Sequence, residues 1–327
     1  MDLNAAYAEC ARITRREARN FYVAFLSLPR AQRRAVYALY AFCRELDNVA
    51  DGAANGTPSG ARHSLTEKRG EAALAASSAS SLTEKLDGSL FVSSKIRLTD
   101  PRCTGIAALR LRLMGAVAGQ PQTDRDLALA DAIVRYGVDP EDLGQIQDGV
   151  EMDLDLAWVE TDAELEAYAY RVASAVGLAT LPILTDGVPP TDAMREKAVS
   201  LGLGMQFVNV LRDVDEDLAR GRIYLSREAF ARHGVDEASF RGRTMTPALR
   251  QLLRAHAEQA QALLEDGLRL LPLVPRSARP CLWLLAEIYG RILERIEAAS
   301  FDVFAGRVSL PTREKLWLLA AAFVRRF

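Results

Sequence analysis

Residues 202–217 read GLGMQFVNVLRDVDED, and residues 34–51 read RAVYALYAFCRELDNVAD. In the first stretch Gln206, Asn209, Asp213 and Asp217 follow one another at intervals of three or four; in the second Tyr40, Arg44, Asp47 and Asp51 do the same. That spacing lines each set along one face of a helix. Met205, Phe207, Val208, Val210 and Leu211 surround the first set, and Val36, Leu39, Phe42, Cys43 and Leu46 the second. A helix that is apolar nearly all round is a buried one. Carboxylates there are costly unless something positive meets them, and buried amides need partners. Two such helices facing each other would make a cavity with acidic walls. Mg²⁺ carrying a diphosphate suits such a cavity, because this hard cation binds through a few carboxylates plus substrate phosphate. Either stripe alone could be a solvated face on which Arg44 pairs with its neighbours. The two together are far more specific.

The rest of the chain is compatible with this reading. Its 327 residues, 49% of them apolar, suffice for a large core. Lys and Arg number 41 against 43 Asp and Glu, a formal charge of −2. A nucleic-acid binder would usually show a basic excess, so no nucleic-acid partner is expected. Cys10, Cys43, Cys103 and Cys281 form no CxxC, and with three histidines no zinc spacing arises. The cysteines fit a reducing compartment, the N-terminus lacks a signal-peptide stretch, and no eighteen residues are uninterruptedly apolar. A cytoplasmic location follows as the expectation. The terminal KLWLLAAAFVRRF is apolar and basic-ended. It reads as a last core helix, with contact to a membrane surface as the alternative.

Apolar residues recurring at three and four predict an all-α protein. Helices are expected over 4–19, 31–51, 103–118, 124–136, 140–149, 162–184, 191–217, 246–271, 276–299 and 311–325. Residues 53–100 break the pattern. They are rich in Ala, Ser, Gly and Thr and contain SLTEK twice, and read as a low-complexity insertion in a single domain spanning 1–327. There is no GxxxxGK[ST], no GxSxG and no glycine fingerprint after a strand, so nucleotide-binding and serine-nucleophile readings fall away.

A diphosphate leaving group needs cations; Arg44 and Arg212 sit beside the aspartates, Arg222 follows in DLARGRIYL, and Arg307 lies in FAGRVSL. A surface charge is the plainer reading of any single arginine, less so for Arg44 and Arg212 on buried helices. Phe21, Tyr22, Tyr168, Tyr170 and Tyr289 read as core aromatics that could also face a carbocation. Ala173, Ser174, Ala175 and Gly177 allow close helix approach or leave room for a long apolar ligand.

At these residues the chain resembles the squalene/phytoene synthase family. FYVAFLSLPRAQRRAVYALYAFCRELDNVAD (21–51) is similar to its first aspartate-rich segment with the lead-in, and ETDAELEAYAYRVASAVGLATLPIL (160–184) to its central one. GMQFVNVLRDVDEDLARGRIYLSRE (204–228) resembles the second aspartate-rich segment, and YGRILERIEAASFDVFAGRVSLPTREKLWLL (289–319) the C-terminal one. The resemblance implies an isoprenoid-synthase helical bundle around a central cavity. It implies Mg²⁺-dependent (or Mn²⁺-dependent) head-to-head 1′–1 condensation of two farnesyl or geranylgeranyl diphosphates. The lead-in looks most like bacterial presqualene diphosphate synthases, so presqualene diphosphate from farnesyl diphosphate is the first expectation. Phytoene or dehydrosqualene is the alternative, and a non-catalytic helical interaction protein the reading from another class. No nicotinamide motif is present, and NADPH is not called for, although squalene-forming relatives that use it lack a Rossmann signature too. Peripheral membrane contact for product release is also implied. By position, Asp47, Asp51, Asp213 and Asp217 would bind metal. Arg44, Arg212, Arg222, Tyr289, Arg307 and Lys315 would contact diphosphate. Tyr40, Tyr170, Gln206 and Asn209 would be catalytic, with Phe21 at the cavity wall. The chain departs from the family at Asn48, Asn20 and Ala169, where many relatives carry Asp, Ser and Cys.

Overall fold

The computed structural model describes residues 1–52 and 100–325, without the side chains of Arg19 and Asn20. The insertion at 53–100 lies, except for Asp100, outside the described residues, as does any contact of the Asn20 side chain. Among the described residues there are helices throughout and one isolated parallel bridge, Trp158 to Ile223.

The chain begins with α1 (Leu3–Glu17), α2 (Arg19–Phe25) and α3 (Arg30–Ala50). Continuity over 4–19 is thus interrupted at Ala18, whose ψ of 47° ends one helix and starts the next. After the insertion come α4 (Pro101–Val117), α5 (Asp124–Tyr136) and α6 (Pro140–Met152). Local signals set these ends. Thr123 and Asp126 form a reciprocal capping box, Gly137 closes α5 in the left-handed region at φ 68°, and Pro140 occupies the first turn after the Asp139 cap.

The run 162–184 is helical throughout, but α7 (Asp162–Ala169) and α8 (Ala175–Leu184) are joined by a π-helical turn at Tyr170–Ser174. By length and composition this run could cross a membrane. Leu165, Tyr168, Ala169, Ser174, Leu178, Leu181 and Ile183 are buried in the bundle, which is the setting of a core helix. Next comes α9 (Asp192–Arg212), which ends where Asp213 leaves helical geometry at φ −104°, ψ 9°. The expected single helix over 191–217 is therefore two, with α10 (Val214–Ala219) following. Short α11 (Arg227–His233) and α12 (Glu237–Arg241) precede α13 (Pro247–Leu268), α14 (Arg279–Ala298) and α15 (Thr312–Val324).

The centre of the bundle is α9, packed against α8, the π turn, α13 and α14. Glycines permit this closeness. A Cβ on Gly202 would sit 2.5 Å from Ser174 Cα, and one on Gly267 would sit 2.6 Å from Leu201 Cα. Ser174 also donates to the Val199 carbonyl at 2.9 Å. Of the two uses for the small residues near 173–177, Ser174 serves close helix approach. On the other side α3 packs against α1, α4, α5, α6 and α8, which turns its acidic stripe toward α9.

Candidate active site

The C-terminal halves of α3 and α9 face one pocket of about 300 Å³. From α3 it receives Arg44, Asp47 and the capping residue Asp51; from α9, Gln206, Asn209 and Arg212; from the α9–α10 junction, Asp213 and Asp217. The four carboxylates marked as metal candidates therefore line the same space, together with Arg222.

Three further polar lining residues, Asp153, Arg220 and Tyr224, were not among the sequence candidates, and Tyr168 was read there as a core aromatic. Asp153 caps α6, four residues beyond the helix end expected from sequence, and accepts hydrogen bonds from Tyr168 Oη at 3.1 Å and Tyr224 Oη at 2.8 Å. The two tyrosine rings stack at 4.9 Å. The isolated bridge explains the meeting: Val159 N–H donates to Ile223 C=O and Ile223 N–H to Ala157 C=O, at 3.1 and 3.0 Å. This clamps the Arg222–Tyr224 segment beside Asp153. Sequence held only a weak signal for it, a carboxylate and a tyrosine in EMDLDL and GRIYL with no shared periodicity.

Electrostatically the pocket is a crowd of carboxylates. Asp47 is half exposed at the pocket mouth, and the crowd of protein atoms around it still raises its carboxyl to about 6; Arg44 at 3.5 Å opposes that, and Asp51 and Asp153 add like charge. Enclosure raises Asp217 to about 7, with Asp213 as the like charge and Arg220 and Arg222 opposing. Burial also raises Asp153, against the two tyrosine hydroxyls and Arg222. Asp213 is better compensated. Arg212 Nε donates to it at 2.8 Å, and Arg307 Nε lies 2.9 Å away. Arg44 is engaged from behind by Glu17, another residue absent from the sequence candidates.

These donors fit a hard divalent cation. Carboxylates gather around one space, with Asp47, Asp153 and Asp217 raised in pKa, which is the condition an added positive charge relieves. Among the described residues no three acidic, histidine or cysteine side chains cluster tightly enough to hold an ion alone. An ion bound there would need water and phosphate oxygens at its remaining positions.

Phe21, Tyr40, Tyr170, Tyr289, Arg307 and Lys315 stand outside the pocket lining. Phe21 contacts Tyr40 at 6.4 Å and Tyr289 at 6.2 Å, so one aromatic group joins α2, α3 and α14. Tyr289 is buried beside Arg212 and Asn209, and burial raises its phenol. Asn209 donates to Gln206 Oε1 at 3.0 Å, while its own buried Oδ1 has no hydrogen-bond partner among the described residues. Arg307 reaches the site through Asp213 and Glu216. Tyr170 lies in the π turn and is not a lining residue, whereas Tyr168 is. Lys315 is buried on α15, away from the lining.

Known proteins are similar to this chain in sequence and fold. The family described as squalene/phytoene synthase matches residues 14–314. The 15-cis-phytoene synthase of Synechocystis sp. is 33% identical over 98% of this chain and 85% of its own length. That of Synechococcus elongatus is 30% identical over 99% and 94%. Among solved structures, a dehydrosqualene synthase in complex with ligand superposes with a TM-score of 0.78 at 27% identity, covering 98% of this chain and 96% of its own. A squalene synthase from Alicyclobacillus acidocaldarius does so with 0.72 at 25%, covering 91% and 95%. The chain belongs to the squalene/phytoene synthase family: it is an all-α enzyme of the prenyltransferase type. The family joins prenyl diphosphates head to head and depends in general on divalent metal.

Proposed function

We propose that this chain condenses two prenyl diphosphates by a 1′–1 bond in the pocket between α3 and α9, with Mg²⁺ held by Asp47 and Asp51 on one wall and Asp213 and Asp217 on the other. The observation that carries the reading is the convergence of these four carboxylates with Arg44, Arg212, Arg220 and Arg222 on a single pocket. A diphosphate anion placed there meets guanidinium groups suited to phosphate oxygens. Bound metal would supply further neutralisation of the departing diphosphate.

The chain's own residues account for the remaining work. As the allylic C–O bond of one substrate breaks, the pocket arginines take up the charge developing on the leaving oxygens. The allylic cation needs surroundings that are apolar but electron-rich, and Phe21, Tyr40 and Tyr289 form such a wall near Asn209 and Arg212. The double bond of the second substrate then attacks, and a proton leaves as the cyclopropylcarbinyl diphosphate forms. Tyr168 and Tyr224, oriented by Asp153, are the hydroxyls at the pocket placed to steer the diphosphate and that proton. Among the residues argued from sequence, Tyr168 takes the part first expected of Tyr170.

For the product we favour phytoene from two geranylgeranyl diphosphates, because the full-length relatives at 33% and 30% identity are phytoene synthases. The dehydrosqualene synthase superposing at 0.78 supports a second reading, in which two farnesyl diphosphates give presqualene diphosphate or dehydrosqualene. Incubation with each diphosphate and Mg²⁺, with and without NADPH, followed by mass spectrometry, separates them. A C40 hydrocarbon from geranylgeranyl diphosphate supports the first; a C30 product from farnesyl diphosphate alone replaces it with the second.

A further inference from the structure

The first helix ends on an acid. Glu17 is the last residue of α1, followed by the break at Ala18. Unpaired carbonyls give a helix C-terminus negative character, so an anion there is unfavourable. The Glu17 side chain is also only 17% exposed, and its charge has to be met. Two guanidinium groups meet it. Arg16 Nε donates to Oε1 at 3.0 Å, and Arg44 Nε donates to Oε2 at 2.5 Å. Burial works to raise the Glu17 pKa, but the two arginines outweigh it and hold the carboxyl below its ordinary value. The carboxylate is therefore charged at neutral pH.

Docking of α1 does not depend on this pair. The helix packs on α3 and α5 through its buried Ala6, Tyr7, Cys10 and Thr14, and Thr14 Oγ1 donates to the Cys10 carbonyl at 2.8 Å. Glu17 continues that face by one turn, at the helical spacing 7, 10, 14, 17. There packing gives way to an ion pair with Arg44, which lines the pocket while Glu17 does not. The edge of Arg44 that is used decides the consequence. A guanidinium is a rigid planar fork, with Nε on one side and the two Nη groups on the other. Glu17 takes Nε, and Nη1 lies 3.5 Å from Asp47 Oδ2 at the pocket. The Nη edge is thereby left to the pocket. An arginine already fixed at Nε has less freedom to lose when it clamps an anion.

We propose that Glu17 is a positioning residue for Arg44: it holds the guanidinium by Nε so that the Nη edge is presented to a diphosphate group in the pocket. This rests on the reading of that pocket as a diphosphate site. Charge alone predicts the opposite sign, since removing an anion near the pocket should tighten the binding of a polyanion. The direction of the change therefore separates positioning from bulk electrostatics.

Calorimetric titration of inorganic diphosphate with Mg²⁺ into the full chain reads this without turnover, beside KM, kcat and a thermal melt. Glu17→Ala should weaken diphosphate binding by at least about fivefold and raise KM for the prenyl diphosphate similarly, with kcat within about twofold. Glu17→Gln, which keeps an acceptor for Nε, should recover most of that loss, and both variants should melt within about 3 °C of the wild type. In an Arg44→Lys background, which lacks the fork, Glu17→Ala should cost no further affinity, whereas a merely structural effect would persist. Arg44→Ala is measured beside them. If it weakens diphosphate binding and Glu17→Ala does not, the positioning role falls and the pocket reading stands. Absence of wild-type binding, or an Arg44→Ala variant that binds as the wild type does, overturns both. Tighter binding by Glu17→Ala, or an equal loss in the Arg44→Lys background, overturns the positioning role.

Discussion

Arg307 Nε lies 2.9 Å from Asp213 Oδ1, although ninety-four residues separate them in the chain. The pairing ties the segment between α14 and α15 to the carboxylate at the end of α9, so residues far apart in sequence share the work at one wall of the pocket. Arg307 is 48% exposed there, so as a structural ion pair it contributes little. Its value lies in a positive charge at the pocket mouth. Arg307→Ala should raise KM for the prenyl diphosphate several-fold and leave the melting temperature within about 2 °C. Steady-state kinetics and a thermal melt check both parts; a large fall in melting with unchanged KM would assign the residue to the fold.

Asp213 itself meets two guanidinium groups and, in the proposed mechanism, the metal. Asp213→Asn should lower turnover by at least about tenfold, because a weakened metal site stabilises the leaving diphosphate less. Single-turnover measurement at saturating Mg²⁺ tests this. Near-normal rates would remove Asp213 from the site.

Tyr168 and Tyr170 differ in position by two residues and in role by the proposed mechanism. Tyr168→Phe removes a pocket hydroxyl held by Asp153 and should cost at least about tenfold in kcat. Tyr170→Phe, away from the lining, should stay within about threefold. Parallel kcat measurements decide between them, and the reverse order would return the role to Tyr170.

That pair also shows where reading the sequence reached its limit. The stripes on α3 and α9 were legible because both their spacing and their apolar surroundings are local and follow the 3.6-residue period. The π turn at Tyr170–Ser174 adds a residue to one turn, and no Pro or Gly marks it. The break at Asp213 is equally unmarked, so one helix was expected where there are two. Asp153, Arg220 and Tyr224 arrive through the Trp158–Ile223 bridge, a pairing across more than sixty residues that no periodicity reports. Helices α11 and α12, seven and five residues long, fall below the window in which a helical period can be recognised.

His256 gives the fold a dependence on pH that is independent of catalysis. It is buried in α13, stacked on Phe207 at 4.7 Å, with Nε2 lacking a hydrogen-bond partner among the described residues. Burial lowers its pKa to about 4, with the Phe207 backbone and Asp162 pulling the other way. Above pH 6.5 the imidazole is neutral in both folded and unfolded chains. As pH falls from about 6.5 to about 4, the unfolded chain takes up a proton that the folded chain refuses, so stability declines by an amount on the order of 3 kcal/mol. His256→Gln should flatten this part of the curve. Denaturant unfolding at pH 7 and pH 4.5 measures it, and an unchanged slope in the variant would place the acid sensitivity elsewhere.

Close approach of α9 to the π turn should be equally exposed to substitution. Gly202→Ala would put a Cβ 2.5 Å from Ser174 Cα, a backbone atom that cannot turn aside. The expected cost is about 1–3 kcal/mol, read as a lowered melting temperature. Because α9 also carries Gln206 and Asn209, turnover should fall with it. A variant as stable and active as the wild type would show that the two elements can separate freely.

The central claim is tested most directly by following diphosphate release from farnesyl and geranylgeranyl diphosphate with Mg²⁺, with EDTA, and with Asp47→Ala in place of the wild type. The account predicts that the wild type with Mg²⁺ consumes at least one of the two and yields a head-to-head product, and that both EDTA and Asp47→Ala abolish consumption. Failure of the folded wild-type chain to consume either substrate, or consumption undiminished by EDTA and by the loss of Asp47, would contradict it.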